Sequence, residues 1–150
     1  MIKPFRGTYT VMVTAFDKEG QLDLDAQAQF TEWQVQQGIH GLIPLGSTGE
    51  FLSLSAEERS AVAKCVIDTA AGRVPVLVGA GTESTDDVIA NVKMAEDLGA
   101  DGTMIIPPFY STPTWDELIH HFGRIGEASK SPVMIYNNPA TANVDLTPKL

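Results

Sequence analysis

Short apolar runs alternate with longer segments of helical periodicity along the whole chain. Five of the runs are predicted as strands; they are Gly7–Phe16, Gly41–Leu45, Arg73–Gly79, Gly102–Ile106 and Pro132–Tyr136. Nearly continuous apolar runs of this length are typical of strands that are buried on both faces of a parallel sheet.

Four segments between these strands carry the apolar spacing and the terminal residues of helices. They are Leu24–Gln37, Ser55–Ala71, Ser84–Leu98 and Trp115–Ala128. The second of them begins with Ser55 and has Glu58 three residues later, which is the pattern of a capping box. Thr147-Pro148 predicts the start of one more helix. A strand and a helix that alternate in this way predict an α/β fold with a parallel sheet and right-handed crossovers.

Two architectures fit this order of elements, a doubly wound open sheet and part of a (β/α)₈ TIM barrel. In both of them, functional residues gather at the carboxyl ends of the strands. A complete barrel takes about 250 residues, whereas the chain has 150. On the barrel interpretation, residues 1–150 form the N-terminal part of a single domain, with the first five strands and four helices.

Composition excludes several classes of function. The formal net charge is −9 and the 10 basic residues are scattered singly, so we expect no nucleic-acid partner. No apolar stretch approaches the ~20 residues of a membrane span, and the N-terminus lacks the apolar region of a secretory signal. The single Cys65 lies in an apolar helical pattern and is expected to be buried and unreactive. A cytoplasmic protein without membrane contact is predicted.

Metal and nucleotide sites are not indicated by the motifs. None of the three histidines stands at metal-ligand spacing from another His, Cys or acid, so we expect no metal and no cofactor. The Walker, GxGxxG and GxSxG patterns are not matched. A dinucleotide-binding half-domain is therefore a weaker alternative.

Glycine, hydroxyl and tyrosine residues follow the predicted strands. Gly46-Ser47-Thr48-Gly49-Glu50 follows the second strand, Gly79–Thr82 the third, Pro107–Tyr110 the fourth, and the fifth ends in Tyr136-Asn-Asn-Pro. Glu50 is the one charged residue in these runs, and we expect it to brace its loop by hydrogen bonds. Backbone N–H groups and hydroxyls at a strand end suit a small anion.

These motifs, in this order and spacing over residues 1–150, resemble the dihydrodipicolinate synthase / N-acetylneuraminate lyase family. The residues that carry the resemblance are PLGSTGE with the following LSAEER, then GAGT, PPFY and YNNP. The resemblance implies a TIM-barrel enzyme in which a lysine on the sixth strand forms a Schiff base with pyruvate or another 2-keto acid. It also implies a homodimer or homotetramer.

The resemblance further implies roles for individual residues. The carboxylate of the keto acid would be held by the loop residues Gly46, Ser47, Thr48 and Gly49. Tyr136 would move protons at the reacting carbons, and Ser47 and Tyr110 would complete a proton relay. In the family the tyrosine at the Tyr110 position commonly reaches in from a neighbouring subunit. Asn138 and Thr141 would bind hydroxyl groups of the second substrate.

The second substrate and the lysine are where the chain departs from the family pattern. Dihydrodipicolinate synthases typically carry an arginine at the position of Thr141, so the favoured interpretation is a lyase for pyruvate or a 2-keto-3-deoxy sugar acid. Dihydrodipicolinate synthase itself, joining pyruvate and aspartate semialdehyde, and a non-catalytic keto-acid-binding homologue remain alternatives. None of the lysines lies in a buried strand pattern. The Schiff-base lysine is therefore expected after residue 150, and the 150 residues alone are expected to be inactive.

Overall fold

The computed structural model describes residues 5–147 of the chain. The strands are β1 Tyr9–Val11, β2 Gly41–Ile43, β3 Leu77–Gly79, β4 Gly102–Ile105 and β5 Val133–Ile135. The helices are α1 Leu24–Gln36, α2 Ala56–Ala70, α3 Thr85–Asp97, α4 Trp115–Ala128 and α5 Pro139–Ala142. Each strand is shorter than the apolar run that predicts it, and α5 was not predicted. The helix start predicted at Thr147-Pro148 lies partly outside the described residues.

The order of the strands in space distinguishes the two predicted architectures. β1 pairs with β2, and β4 lies between β3 and β5, with every pair parallel. β2 meets β3 through the parallel bridge between Leu42 and Val76 and a hydrogen bond from Gly79 N to Pro44 O of 2.9 Å. The spatial order is therefore the chain order, one to five. A doubly wound sheet reverses its strand order at a switch point, so the arrangement is that of a barrel.

The outer face of this arc of strands packs against the helices. Leu42 and Val78 belong to a buried cluster with Val62 and Val66 of α2. Ile105 of β4 belongs to a second cluster, with Val88 and Val92 of α3 and Ile125 of α4. Burying these apolar side chains holds the helices on one side of the sheet and stabilises the fold.

The inner face of the arc carries its own layer of side chains. Ile43, Leu77 and Met104 are buried there, with Tyr9, Met134 and Tyr136 packed beside them. Each of the three follows or precedes an outward-facing neighbour in its strand, which is the period of two expected in a sheet. Stacked inward-pointing side chains of this kind form the interior of a (β/α)₈ barrel.

Two helices start with capping boxes that set where the loops at the strand ends stop. Ser55 Oγ accepts a hydrogen bond from Glu58 N, and Ser55 N in turn donates to Glu58 Oε2. Thr114 and Glu117 do the same at the start of α4. The box at Ser55 is as the sequence pattern predicts, and both boxes end the loops that follow β2 and β4 at defined residues.

Three further observations concern the thiol, the length of the helices and the placing of metal-ligating side chains. Cys65 is half-buried and not buried as predicted, and its Sγ donates to Leu24 O at 3.4 Å, across the contact between α2 and the start of α1. No helix within residues 5–147 combines the length and the hydropathy needed to cross a membrane. The same residues contain no group of three His, Cys, Asp or Glu side chains placed to hold a metal ion.

Candidate active site

The loop after β2 forms one turn of 3₁₀ helix over Ser47–Gly49. Hydrogen bonds from Gly49 N to Gly46 O (2.9 Å) and from Glu50 N to Ser47 O (3.1 Å) close the turn. The N–H groups of Ser47 and Thr48 donate to no acceptor among residues 5–147, and both residues are exposed. The loop therefore offers two backbone donors and two hydroxyls, which is a suitable set for a carboxylate.

The backbone that flanks this turn is unusual. Leu45 and Glu50 both take left-handed conformations, with φ of 61° and 55°. Such values are uncommon for residues other than glycine, and they concentrate at sites where function constrains the chain. The turn is thus held in a defined shape at both of its ends.

The two glycines of the loop are required by close packing on β1. A Cβ atom at Gly46 would lie 2.8 Å from Val11 Cγ1, and one at Gly49 would lie 2.9 Å from Met12 O. The glycines therefore let the loop lie against the neighbouring strand. They shape the site through their backbone and do not themselves line the cleft described below.

Thr14, and not Glu50 as predicted, braces the loop through a side chain. The Thr14 hydroxyl is buried and donates to Gly49 O at 2.7 Å. The Glu50 side chain is exposed and makes no hydrogen bond within residues 5–147. The sequence placed Thr14 at the end of the first predicted strand, but the partner lies 35 residues away, so its role was not visible in the local pattern.

Tyr136 stands at the carboxyl end of β5. Its N–H donates to Ile105 O of β4 at 2.8 Å, which fixes its place in the sheet. Its phenol oxygen accepts a hydrogen bond from Asn138 Nδ2 at 3.0 Å. Because Asn138 is the donor, the phenol proton stays available for another partner. Asn138 therefore orients Tyr136 as well as lining the site.

A cleft of about 360 Å³ joins the ends of β2 and β5. Ser47, Tyr136, Asn138 and Thr141 line it, together with apolar groups that include Phe51 and Phe109. No lysine, arginine or histidine from residues 5–147 lines the cleft, and Glu50 is its one carboxylate. Four of the predicted site residues are thus brought together. Thr48, Gly46 and Gly49 belong to its loop, and Gly46 lines a narrow space beside it.

Tyr110 lies outside this cleft. Its side chain is 92% exposed on the loop between β4 and α4. The preceding residue, Phe109, does line the cleft and packs edge-on against Phe51, with ring centroids 6.2 Å apart. Within this chain Tyr110 is therefore next to the cleft wall, but its phenol does not meet Ser47 or Tyr136.

Glu83 organises the loop that carries Tyr110, and sequence reasoning missed it. Its Oε1 accepts hydrogen bonds from Phe109 N and Tyr110 N, both at 2.8 Å. Partial loss of water raises the pKa of this carboxyl, but the hydrogen bonds from Tyr110, Phe109 and Ser111 lower it by more, so the pKa lies below its ordinary value. Glu83 directly follows the predicted GAGT motif, and nothing in the local sequence shows that it meets a loop some 26 residues later.

Comparison with known proteins agrees with this geometry. The sequence profile of the dihydrodipicolinate synthetase family matches residues 4–150. The chain belongs to this family. The cleft lies at the carboxyl ends of the parallel strands, which is where TIM-barrel enzymes carry their active sites.

The curated relatives are about twice as long as the chain. It is 42% identical over 144 residues to the 4-hydroxy-tetrahydrodipicolinate synthase of Cereibacter sphaeroides, covering 96% of this chain and 49% of that protein. It is 43% identical over 143 residues to the enzyme of the same name from Nitrobacter hamburgensis, covering 95% and 48%. The chain therefore spans about half the length of the curated relatives it matches.

Solved structures show the same fold over the same half. YagE from E. coli K12, a prophage protein of the dihydrodipicolinic acid synthase family in complex with pyruvate, is 39% identical, with a TM-score of 0.92 over 97% of this chain and 49% of that one. Dihydrodipicolinate synthase from Acinetobacter baumannii, complexed with pyruvate, is 36% identical, with a TM-score of 0.93 over 96% and 50%. These matches confirm the prediction of a partial TIM barrel.

Proposed function

We propose that the full-length protein is a lyase that joins pyruvate to an aldehyde through a lysine Schiff base. One observation carries the proposal: Ser47, beside free backbone donors, and the Tyr136 phenol line one cleft at the ends of β2 and β5. Family membership and the two pyruvate complexes among similar structures support the choice of pyruvate.

This half of the enzyme would bind the carboxylate of pyruvate. The N–H groups and hydroxyls of Ser47 and Thr48 are neutral donors, and the cleft contains no basic side chain from residues 5–147. Neutral donors hold the carboxylate without a salt bridge, because converging backbone N–H groups form an anion site by themselves. The keto carbon would then face the middle of the barrel, where a lysine on a sixth strand, after residue 150, would attack it.

Tyr136 would move the protons that this attack requires. The lysine nitrogen forms a bond to the keto carbon, and the keto oxygen leaves as water after it has gained two protons. A phenol can accept a proton from one hydroxyl and pass its own proton to the next, so no charge is left in the site. The hydrogen bond from Asn138 (3.0 Å) leaves the phenol proton free for this transfer.

For the second substrate, the sequence favours a sugar-acid lyase and leaves dihydrodipicolinate synthase as an alternative. The names of the relatives support the alternative. Both curated relatives are 4-hydroxy-tetrahydrodipicolinate synthases. We therefore place the condensation of pyruvate with aspartate semialdehyde first. The sugar-acid interpretation is the second candidate because Thr141 stands where dihydrodipicolinate synthases typically carry an arginine. Without that arginine, no cationic side chain from residues 5–147 lines the cleft to bind a second carboxylate.

Trapping tests the shared step. The full-length protein is incubated with pyruvate, reduced with borohydride and weighed as the intact chain. We expect one pyruvyl adduct on the wild type, a much slower adduct with Ser47→Ala, and a normal one with Ser60→Ala, which removes a hydroxyl from α2 outside the cleft. A wild type without an adduct would favour the non-catalytic keto-acid-binding homologue.

Turnover then separates the two second substrates. Consumption of aspartate semialdehyde in the presence of pyruvate supports the first candidate. Cleavage of a 2-keto-3-deoxy sugar acid, with no consumption of aspartate semialdehyde, supports the second. Isolated residues 1–150, which carry no such lysine on this proposal, are expected to be inactive in both assays.

We also propose a homodimer or homotetramer. The exposed side chain of Tyr110 supports this, because its phenol does not line the cleft of its own chain. A role in the proton relay would therefore place it in the cleft of a neighbouring subunit. Sedimentation of the full-length protein measures the assembly. The cytoplasmic location and the lack of a nucleic-acid partner stay predictions.

A further inference from the structure

A single carboxylate holds the loop on which Tyr110 stands. We propose that Glu83 is a positioning residue for Tyr110. It fixes the β4–α4 loop, so that the Tyr110 side chain projects from the loop in a defined direction. This inference rests on the proposed function, since it assumes that Tyr110 takes part in the proton relay.

The hydrogen bonds converge on Glu83 from three successive residues. Oε1 accepts from Phe109 N and Tyr110 N at 2.8 Å each, and Oε2 accepts from Ser111 N at 3.4 Å and Ser111 Oγ at 3.3 Å. Successive N–H groups that point to one anion form a nest, here filled by a side chain of the same chain. Glu83 directly precedes Ser84, the N-cap of α3, so its own backbone is anchored to a regular element.

Tyr110 has no comparable anchor of its own. Its side chain is 92% exposed, and its phenol makes no hydrogen bond within residues 5–147. Near this point the loop is also held by the edge-on packing of Phe109 on Phe51. The direction in which Tyr110 leaves the loop is therefore set mainly by the backbone that Glu83 holds.

The charge of Glu83 matters to this contact. Hydrogen bonds to the loop outweigh partial desolvation and keep its pKa below the ordinary value, so the carboxylate is ionised at neutral pH. The groups that face it across the neighbouring cavity are Asp116, Glu117, His120 and His121. Glutamine at position 83 would keep the shape but replace one acceptor with an NH₂ group, which cannot accept from Ser111.

The chain contains a matched control at the opposite end of the barrel. Glu96 Oε1 accepts from Lys130 N, Ser131 N and Ser131 Oγ at 2.7, 2.8 and 2.9 Å. These contacts fix the loop that leads into β5, at the amino ends of the strands, where barrel residues serve stability rather than chemistry. Glu96→Gln keeps one acceptor oxygen and therefore neutralises a carboxylate of the same kind far from the cleft.

The experiment compares the two variants in the full-length protein. We expect Glu83→Gln to lower kcat by about tenfold or more, because a shift of about 1 Å in a catalytic group can cost ~100-fold, while KM for pyruvate changes less than about twofold because the carboxylate loop is intact. Glu96→Gln should leave both constants at the wild-type value. Equal losses in the two variants would overturn the proposal.

A double variant shows whether Glu83 acts through Tyr110. Adding Glu83→Gln to Tyr110→Phe should lower kcat little further, because the hydroxyl that Glu83 positions is already absent. Additive losses would mean that Glu83 acts by another route, and the inference would be wrong.

Hydrogen exchange gives an outcome that does not depend on activity. The amides of Phe109, Tyr110 and Ser111 should exchange faster in Glu83→Gln than in the wild type or in Glu96→Gln. Unchanged exchange would contradict the holding role. A wild type that forms no pyruvyl adduct would instead refute the proposed function and the catalytic part of this inference, while the exchange rates still decide whether Glu83 holds the loop.

Discussion

Thr14→Val removes the brace beneath the carboxylate loop with little change in side-chain volume. The Thr14 hydroxyl donates to Gly49 O at 2.7 Å, and Thr14 is 7% exposed. Valine replaces that hydroxyl with a methyl group, so the Gly49 carbonyl loses its donor where water has little access. The change acts on the loop from below and touches neither Ser47 nor Tyr136.

The expected loss of stability follows from the buried carbonyl. Leaving a buried acceptor without its hydrogen bond costs about 1–3 kcal/mol. The matched control, Thr14→Ser, keeps the hydroxyl and removes one methyl group, which costs about 0.8 kcal/mol if that group is fully buried. The two variants therefore separate the hydrogen bond from the packing of the side chain.

Urea unfolding and pyruvate binding of the full-length protein measure the two consequences. Thr14→Val should lose about 1–3 kcal/mol of unfolding free energy and bind pyruvate more weakly than Thr14→Ser, because the turn that presents the Ser47 and Thr48 donors is less well held. A valine variant within about 0.5 kcal/mol of the wild type, the range of a neutral surface change, would refute the assignment of Thr14 as the brace. A serine variant that loses more than the valine variant would also refute it.

Three further predictions concern the relay, a helix and a buried histidine. Tyr136→Phe should keep the fold and lower kcat by roughly 10²–10⁴-fold, the usual contribution of general acid–base catalysis; a normal rate of adduct formation would contradict its role. Gly126→Ala on α4 should raise the free energy of unfolding by about 0.5–1 kcal/mol, since a Cβ there meets no atom within 4 Å, whereas Gly79→Ala should destabilise because its Cβ would lie against Leu45 O. His121 is buried with Nδ1 2.8 Å from Thr85 Oγ1, and burial lowers its pKa although Glu83 partly offsets this. Histidine binds protons more readily in the unfolded chain, so the stability that neutral His121 contributes is complete above about pH 6.5 and is lost as the pH falls through the lower folded pKa. Urea unfolding across this range should show that the free energy of unfolding falls less in His121→Asn than in the wild type.

Local patterns in the sequence determined the elements and most of the site. The apolar runs and the capping box at Ser55 predicted the strand and helix order, because backbone conformation and helix starts depend on residues within a few positions of each other. The strand ends directed attention to Ser47 and Tyr136, since parallel strands bring their carboxyl ends to one edge. Resemblance to a family, and not periodicity, supplied the keto acid and the proton relay.

The tertiary structure alone decided which distant groups meet. A period of two shows that Leu42 and Ile43 face opposite sides, but it does not show that β2 lies beside β3, and so it left the barrel and the open sheet unresolved. Thr14 braces a loop 35 residues away, and Glu83 holds one that begins 26 residues later. These contacts depend on the order of strands in space, which no window of neighbouring residues contains, and this is why the sequence assigned the brace to Glu50 and passed over Glu83.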